Sequence, residues 1–553
     1  MQPSTPFLRI PPFPGARPRT GAASPARSIT REEADVLAEM IVALRVGGTF
    51  WLGQPDLPPG RTLILAPSTA SAAAAMLREA AVANLLADAL FLAPQDWLDG
   101  TDIPRLDAGI DPWHIMTEAN TIWADSADPL MLVAMLSGKT VKVFDDGSPT
   151  TAEGVRSRDT VLRKLADTLS QDVPIDPFTG APWNITAAVE QLGEWRRMID
   201  ENRAARAIYG IARWKRVTCS ALLWNGNQPV RYATRHTSVP AGETILAWKS
   251  RVPPQMVRDL TQRGVRIGEI EDGMIRSQGL GANCVPPLSV IVDLVGIHFD
   301  PAQASRLEDL LARMEFPAAL LERAARLRER LVAAGLSKYG ASSPTATATR
   351  ADSARRHILV PGQVEDDRSV LSGGAGMTNL TLLERARALE PDAFITYRPH
   401  PDVEAGHRKG HVRDADALAL ADRIERDGPV TAVIEAADAL HVITSLAGFE
   451  ALMRGKQVVT HGVPFYAGWG LTADHGPVPA RRGRVRTIDE LVAAVLILYP
   501  RYLDPLSRLP CPVEILVERM AEGQADISSP LIRLRTWQGK ISRIAERVGI
   551  RAR

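Results

Sequence analysis

The sequence predicts a multidomain α/β protein in which parallel sheets alternate with helices, and three observations point there. Its 553 residues suffice for three to four domains at about 150 residues each. Short apolar runs bounded by turn residues recur between stretches of helical periodicity, which is the βαβ rhythm. The composition, 45% hydrophobic and 23% charged with 5% aromatic, is that of an ordinary globular chain. With 65 basic against 64 acidic side chains, nothing global calls for nucleic acid as a partner, and none is expected. Three scattered cysteines, Cys219, Cys284 and Cys511, suit a reducing compartment better than a disulfide framework or a zinc site. No apolar run reaches the roughly 18 to 20 residues that would span a bilayer.

The first 28 residues carry prolines and arginines where a secretory signal would need an apolar run, and they read as a disordered arm on the cytoplasmic side. Thr30, with Glu33 three residues on, predicts a capping box and a helix through Val36, Leu37, Met40 and Ile41. Leu63–Ala66 reads as a buried strand, 74–87 as an alanine-rich helix and Leu90–Leu92 as a second strand. Residues 118–141 lie without a gap on 435–458, each reading strand, turn, helix, Gly-Lys, strand. Shared ancestry and chance resemblance between α/β segments both account for a repeat this short. The turns differ: Thr444-Ser445-Leu446-Ala447-Gly448 in the later copy, Asp125-Ser126-Ala127-Asp128-Pro129 in the earlier.

A helix over 187–207, with Val189, Leu192, Trp195, Met198 and Ile199 on one face, is expected to pack one domain on the next. The patch Arg213-Trp214-Lys215-Arg216 reads as a solvated basic turn or as an anion grip. From Thr244 a second α/β rhythm begins: a strand at 245–248, a helix at 254–263, strands at 265–270 and 288–295, and a long helical stretch over 302–334. The Ser/Thr/Ala-rich segment 341–354 is the linker candidate, after which the rhythm resumes at His357 and runs to about Leu498. The expected divisions are an arm over 1–28, an α/β segment over 29–180, a helical connector over 181–243, α/β domains over 244–350 and 351–510, and a tail over 511–553. That tail holds seven Lys or Arg against Glu546 alone in its last 23 residues, and reads as a basic amphipathic helix that rests on anionic lipid or closes across the domains.

Four clusters fall where strands of the second half should end: Glu271-Asp272-Gly273-Met274-Ile275-Arg276-Ser277; Gln363-Val364-Glu365-Asp366-Asp367; Tyr397-Arg398-Pro399-His400-Pro401-Asp402; and Ser445-Leu446-Ala447-Gly448-Phe449-Glu450. Each alone has a structural reading: a solvated helix start, a rigid turn or a helix cap. Their convergence on one edge of two facing sheets is what points to chemistry. Carboxylates, an imidazole and an anion-ready helix start suit transfer from a nucleotide-activated sugar, in which one carboxylate attacks or stabilises an oxocarbenium-like centre.

These strings, with Pro464-Phe465-Tyr466-Ala467-Gly468-Trp469-Gly470, resemble the capsular polysaccharide biosynthesis proteins, retaining β-Kdo transferases of Gram-negative bacteria, over roughly residues 185 to 515. The resemblance implies a GT-B-like pair of Rossmann-type domains, preceded here by a degenerate partial α/β copy and a helical connector. It implies CMP-Kdo as donor and a lipid-linked Kdo acceptor of the phosphatidylglycerol type, with no metal and no cofactor. By the same resemblance Asp367 is the nucleophile, His400 contacts the CMP phosphate as a cation, and Glu271 is the acid/base residue at the acceptor. Asp272 and Arg276 shape the acceptor pocket; Ser445, Leu446 and Ala447 offer hydroxyl and N–H groups to phosphate; Glu450 reaches the ribose. Gln363 and Pro401 belong to the donor motifs, and Arg398, Arg481 or Arg482 pairs with the sugar carboxylate.

The earlier α/β segment departs from the pattern. It has Pro94-Gln95-Asp96 for His-Pro-Asp and Asp128-Pro129 for the serine turn, so it is expected to be an inactive remnant. One linkage type is then expected, with a second Kdo transferase and export machinery as partners and a peripheral place on the inner membrane. Two alternatives stand beside this reading: a non-catalytic assembly or export scaffold, and a transferase of another CMP-linked nonulosonic acid.

Overall fold

The computed structural model describes residues 7–21, 27–94, 97, 103–106, 109–125, 128–145, 148–149, 157–171, 173–226, 229–234, 238–277, 284–338, 340–341, 350, 354–406 and 408–525. The 531–553 basic tail, most of the 341–354 linker and Gln95-Asp96 lie outside these. The chain divides into two compact units: residues 1–204 with 223–230 and 507–509, and residues 205–222 with 231–506 and 510–553.

In the first unit, Thr30 caps the Arg31–Leu44 helix with the reciprocal Glu33 bond. The sheet holds β1 (Leu63–Ala66), β2 (Ala89–Leu92), β3 (Arg105–Leu106), β4 (Thr121–Asp125), β5 (Thr140–Asp145) and β6 (Ser148–Pro149), in the order β3-β2-β1-β4-β5-β6. All neighbours pair in parallel except β5 with β6. Its core gathers Leu63, Leu65, Met76, Phe91, Trp123 and Phe144. The disordered arm expected over 1–28 does not hold for residues 7–21. Phe7 and Phe13 are buried, and Phe13 sits edge-on to Trp195 at 5.6 Å and Trp224 at 5.1 Å. Each such side chain contributes about 1.5–3 kcal/mol by leaving water, enough to order an otherwise polar segment. The Ile185–Arg203 helix, expected as a bridge between domains, buries Val189, Leu192, Trp195, Met198 and Ile199 and belongs to this unit.

The second unit carries β7 (Ala205–Tyr209), β8 (Thr244–Ala247), β9 (Arg266–Asp272), β10 (Ser289–Asp293), the hairpin β11 (Leu336–Ser337) and β12 (Gly340–Ala341), β13 (His357–Pro361), β14 (Phe394–Arg398), β15 (Arg423–Ile424), β16 (Ala439–Val442), β17 (Gln457–Thr460), β18 (Ala473–Asp474), β19 (Pro500–Leu503) and β20 (Pro510–Cys511). One sheet runs β20-β19-β10-β9-β8-β7 and the other β15-β14-β13-β16-β17-β18. The second is parallel throughout, as a Rossmann-type lobe requires. The first is only half parallel: β10 returns antiparallel to β9, and β19 and β20 follow antiparallel. A parallel neighbour needs a crossover, usually a helix, and the described residues between Asp272 and Ser289 form none.

Three boundaries move accordingly. The expected helical connector ends at Arg203, and β7 opens the first lobe. Pro500–Cys511 returns to that lobe instead of closing the second. The helical stretch over 302–334 is two helices, Arg306–Arg313 and Ala318–Ala333, because Pro317 at the N-cap of the second cannot sit inside a helix.

The sheet of the first unit and the β13–β18 sheet of the second share one strand order. The 118–141 and 435–458 repeats occupy the same place in each: fourth strand, helix, fifth strand. The first unit thus carries one six-stranded sheet, against the two of the second unit.

Candidate functional site

The four sequence clusters fall as expected at strand ends of the second unit. Glu271 and Asp272 close β9, Gln363–Asp367 follow β13, His400 follows β14, and Ser445 follows β16. Parallel strands present their C-terminal ends on one edge, where ligands of open α/β sheets bind.

At the end of β9, Glu271 accepts the N–H of Asp272 at 3.0 Å. Burial, then the Asp272 charge beside it, push the Glu271 carboxyl up to about 7. Burial opposes ionisation of Asp272 too, but Lys215 at 3.2 Å and Arg276 at 2.9 Å hold it below the usual range. Lys215, read from sequence as part of a basic turn, is buried with its ammonium 3.2 Å from the Trp248 ring centroid. Arg276 is fully buried and also bonds Ser277 Oγ and the Val285 carbonyl, so it braces the loop. Gly273 follows because Ser289 Oγ lies 2.2 Å from where a Cβ would stand.

After β13 of the parallel sheet, Asp367 caps the Arg368–Gly373 helix, its Oδ1 accepting from Ser369 N at 3.0 Å and Ser369 Oγ at 2.8 Å. That fixes one oxygen of an exposed carboxylate and leaves the other for a ligand. Asp366 pairs with Arg408 at 3.1 Å. Gln363 donates to Thr444 Oγ1 at 3.0 Å and accepts Thr444 N–H at 2.8 Å; its amide ties the β13 loop to the β16 loop. His400 Nδ1 accepts the Asp402 N–H at 3.2 Å, with Pro401 opening the turn between them, which leaves its proton on Nε2. Burial lowers the His400 pKa, opposed by Asp402 and Asp367. With Nδ1 accepting, the ring offers Nε2–H as its free donor, and the Asp367 charge is among those that favour its protonated form. Arg398 spends both amino groups on the carbonyls of Asp427 and Gly428.

At the third strand end, Ser445 caps Leu446–Met453 through the Ala447 N–H at 3.2 Å, so the expected phosphate-facing residues do start a helix. Tyr466 donates to the Ser445 carbonyl, and its hydroxyl lies 2.2 Å from where a Cβ on Gly448 would stand. The Pro464–Gly470 string is thus the buttress behind this helix. Gly448→Ala is expected to cost about 1–3 kcal/mol through overpacking, read as a lower urea midpoint; an unchanged midpoint would mean that Tyr466 yields freely.

Glu450 is only 6% exposed. Its Oε1 accepts the Lys338 N–H at 3.3 Å, and Oε2 has no hydrogen-bond partner among the described residues. It lines a small, largely apolar cavity with Met274, Leu446 and Phe449. Burial pushes its carboxyl up to about 7, against the pull of Arg454. A raised acid binds more protons folded than unfolded, so its contribution is complete below its ordinary 4.5 and is lost as pH rises through about 7. Glu450→Gln is expected to flatten that loss, stabilising the protein at pH 8 relative to wild type by up to about 3 kcal/mol while leaving pH 4 little changed. Urea midpoints at the two pH values check it.

One side chain joins the two carboxylate-bearing edges. Arg368, directly after Asp367, reaches Glu269 Oε2 at 2.9 Å and stands 4.0 Å from Glu271 Oε2. It was missed in the sequence because an arginine beside an acidic loop reads as solvated.

At the same edge of the first unit, Asp128 takes the place of Ser445. Its side chain caps Leu130 N–H at 2.8 Å, and burial raises its pKa. A cavity of 290 Å³ opens there between Pro67, Leu92, Ile110 and Asp128.

A family model described as capsule polysaccharide biosynthesis protein matches residues 243–502. The chain is 35% identical over 418 residues to the capsule polysaccharide modification protein LipA of Neisseria meningitidis serogroup A, covering 72% of this chain and 59% of LipA. It is 44% identical over 241 residues to the lipopolysaccharide-processing protein LpsZ of Rhizobium meliloti, covering 43% of this chain and 54% of LpsZ. The matches therefore span little more than half the length of these relatives. A solved structure, Thermosulfurimonas dismutans KpsC, beta Kdo 2,7 transferase, is 30% identical, covering 58% of this chain and 99% of that one at a TM-score of 0.46. Among the described residues, no helix is long and apolar enough to cross a membrane.

Proposed function

We propose that this chain, which belongs to the capsule polysaccharide biosynthesis protein family, is a glycosyltransferase that moves Kdo from CMP-Kdo with retention onto a lipid-linked Kdo acceptor of the phosphatidylglycerol type. The observation that carries the reading is the reach of Arg368. The residue next to the candidate nucleophile reaches the strand that bears a carboxyl pushed up to about 7: Arg368 bonds Glu269 at 2.9 Å and stands 4.0 Å from Glu271, which supports one site for both.

Two displacements account for retention. Asp367 attacks the anomeric carbon; a carbon–oxygen bond forms to its carboxylate as the bond to the CMP phosphate breaks. In this reading the departing phosphate meets His400 Nε2–H and the positive end of the Leu446–Met453 helix, which stabilise the negative charge as it develops. The acceptor hydroxyl then attacks the same carbon from the opposite face. Its proton passes to Glu271, the bond to Asp367 breaks, and the carboxylate is restored. A base with a pKa near the working pH is the efficient choice for that proton. Asp272, kept anionic by Lys215 and Arg276, holds Glu271 from ionising too early.

The first unit does no transfer in this reading, since Asp128 at the corresponding helix start puts a carboxyl group where phosphate would bind. One linkage type follows, with a second transferase as partner. The direct test is intact-protein mass spectrometry after exposure to CMP-Kdo without acceptor. Mass increased by one Kdo residue, mapped to Asp367, supports the mechanism; product formed from CMP-Kdo with no adduct and inverted configuration defeats it. Absence of all turnover and donor binding would favour the non-catalytic scaffold.

A further inference from the structure

We infer that Arg368 recognises the carboxylate of the donor sugar, and so selects a CMP-linked sugar acid over a neutral sugar. This rests on the transfer reading above.

The arginines expected to do this from sequence are all engaged elsewhere. Arg398 bonds two backbone carbonyls. Arg481 bonds Glu308 and the carbonyls of Pro301 and Gln303. Arg482 is buried on Glu308 and the Pro464 carbonyl.

Arg368 differs in three ways. Its Nη1 is buried and has no hydrogen-bond partner among the described residues, an arrangement that costs free energy unless a ligand completes it. Its guanidinium is held in place from the other sides, by Glu269 at 2.9 Å and by the Phe299 ring, whose centroid is 4.9 Å away. Its anionic partner is shared, because Glu269 also binds Lys249, while the other nearby carboxyl, Glu271, stands 4.0 Å from Nη1 and is pushed up to about 7 by burial.

Chemistry then fixes what that charge meets. In a 2-keto sugar acid the carboxylate is borne on the anomeric carbon itself, the atom that Asp367 attacks. Arg368 follows the nucleophile in the chain, and its planar fork matches a carboxylate bidentately. The acceptor, also a sugar acid, is the other possible source of the carboxylate; Arg368 is assigned to the donor because it adjoins Asp367 in the chain.

The test is calorimetry in the Asp367→Ala background, where no adduct forms, with CMP and CMP-Kdo as the two ligands. Adding Arg368→Met is expected to weaken CMP-Kdo roughly 10- to 100-fold while leaving CMP, which has no carboxylate, within about 3-fold. Arg368→Lys, which keeps the charge and loses the fork, is expected to fall between. In the background with Asp367 intact, the acceptor KM of Arg368→Lys should stay near wild type. Equal loss of CMP and CMP-Kdo would make Arg368 a brace between strand ends and overturn the inference. A raised acceptor KM with donor binding unchanged would move the carboxylate to the acceptor and overturn it as well. Unchanged binding of both ligands, with wild type active, defeats this inference alone; a wild type that neither binds nor turns over CMP-Kdo defeats the transfer reading with it.

Discussion

Asp367→Ala is expected to lower kcat for Kdo transfer by at least about 10³-fold, with no sugar adduct detectable on the protein. The size follows from the role: a nucleophile removed from a group that acts as a unit costs most of the catalysis, and binding and phosphate stabilisation supply only what is left. Geometry makes the variant clean. The Ser369 N–H and hydroxyl that Asp367 holds are exposed, so water replaces the lost cap, at a stability cost of about 1 kcal/mol. His400→Ala belongs in the same experiment and is expected to lose less, about 10²-fold, and to accumulate adduct slowly instead of not at all. The difference separates attack from departure: His400 donates to the leaving phosphate, whereas Asp367 becomes bonded to the sugar. Retained transfer in Asp367→Ala, above a few per cent of wild type by initial rate, would place the nucleophile elsewhere and remove the central element of the proposal.

What could be read from the residues alone divides along a physical line. Local signals carried well: the Thr30–Glu33 box, the apolar runs of β1 and β13, and the strand ends that bear Glu271, His400 and Ser445 all depend on near neighbours in the chain. Features set by distant partners did not. Phe7 and Phe13 are ordered by Trp195 and Trp224, which no window around them contains. β7 follows a helix after a single residue, Ala204, with no turn signal to announce it. Glu450 reads from sequence as one turn into a helix; its bond from the Lys338 N–H, in the β11–β12 hairpin over a hundred residues away in the chain, is not legible there. Gln363 was assigned to substrate on its motif, yet both ends of its amide are used by Thr444. A recurring string shows that a residue matters without showing whether it touches substrate or holds the residues that do.

Glu271→Gln is expected to lower kcat about 10²- to 10⁴-fold and to remove the rising limb of the pH–rate profile, and the sign of that limb follows from the environment. A base works when unprotonated, so wild-type rate should climb as pH rises through about 7, where burial and the Asp272 charge have moved the Glu271 carboxyl. The neighbours then give two further variants with opposite directions. Asp272→Asn removes a negative charge that disfavours ionisation of Glu271, so the limb should move to lower pH. Lys215→Met removes a positive charge that favours it, so the limb should move to higher pH. Both variants keep the Glu271 side chain, and a merely structural role for this corner would lower rates without moving the midpoint in either direction. Initial rates from pH 5.5 to 8.5 at saturating donor decide it: midpoints displaced in opposite senses identify Glu271 as the titrating base, while a limb that persists in Glu271→Gln assigns the proton to another group.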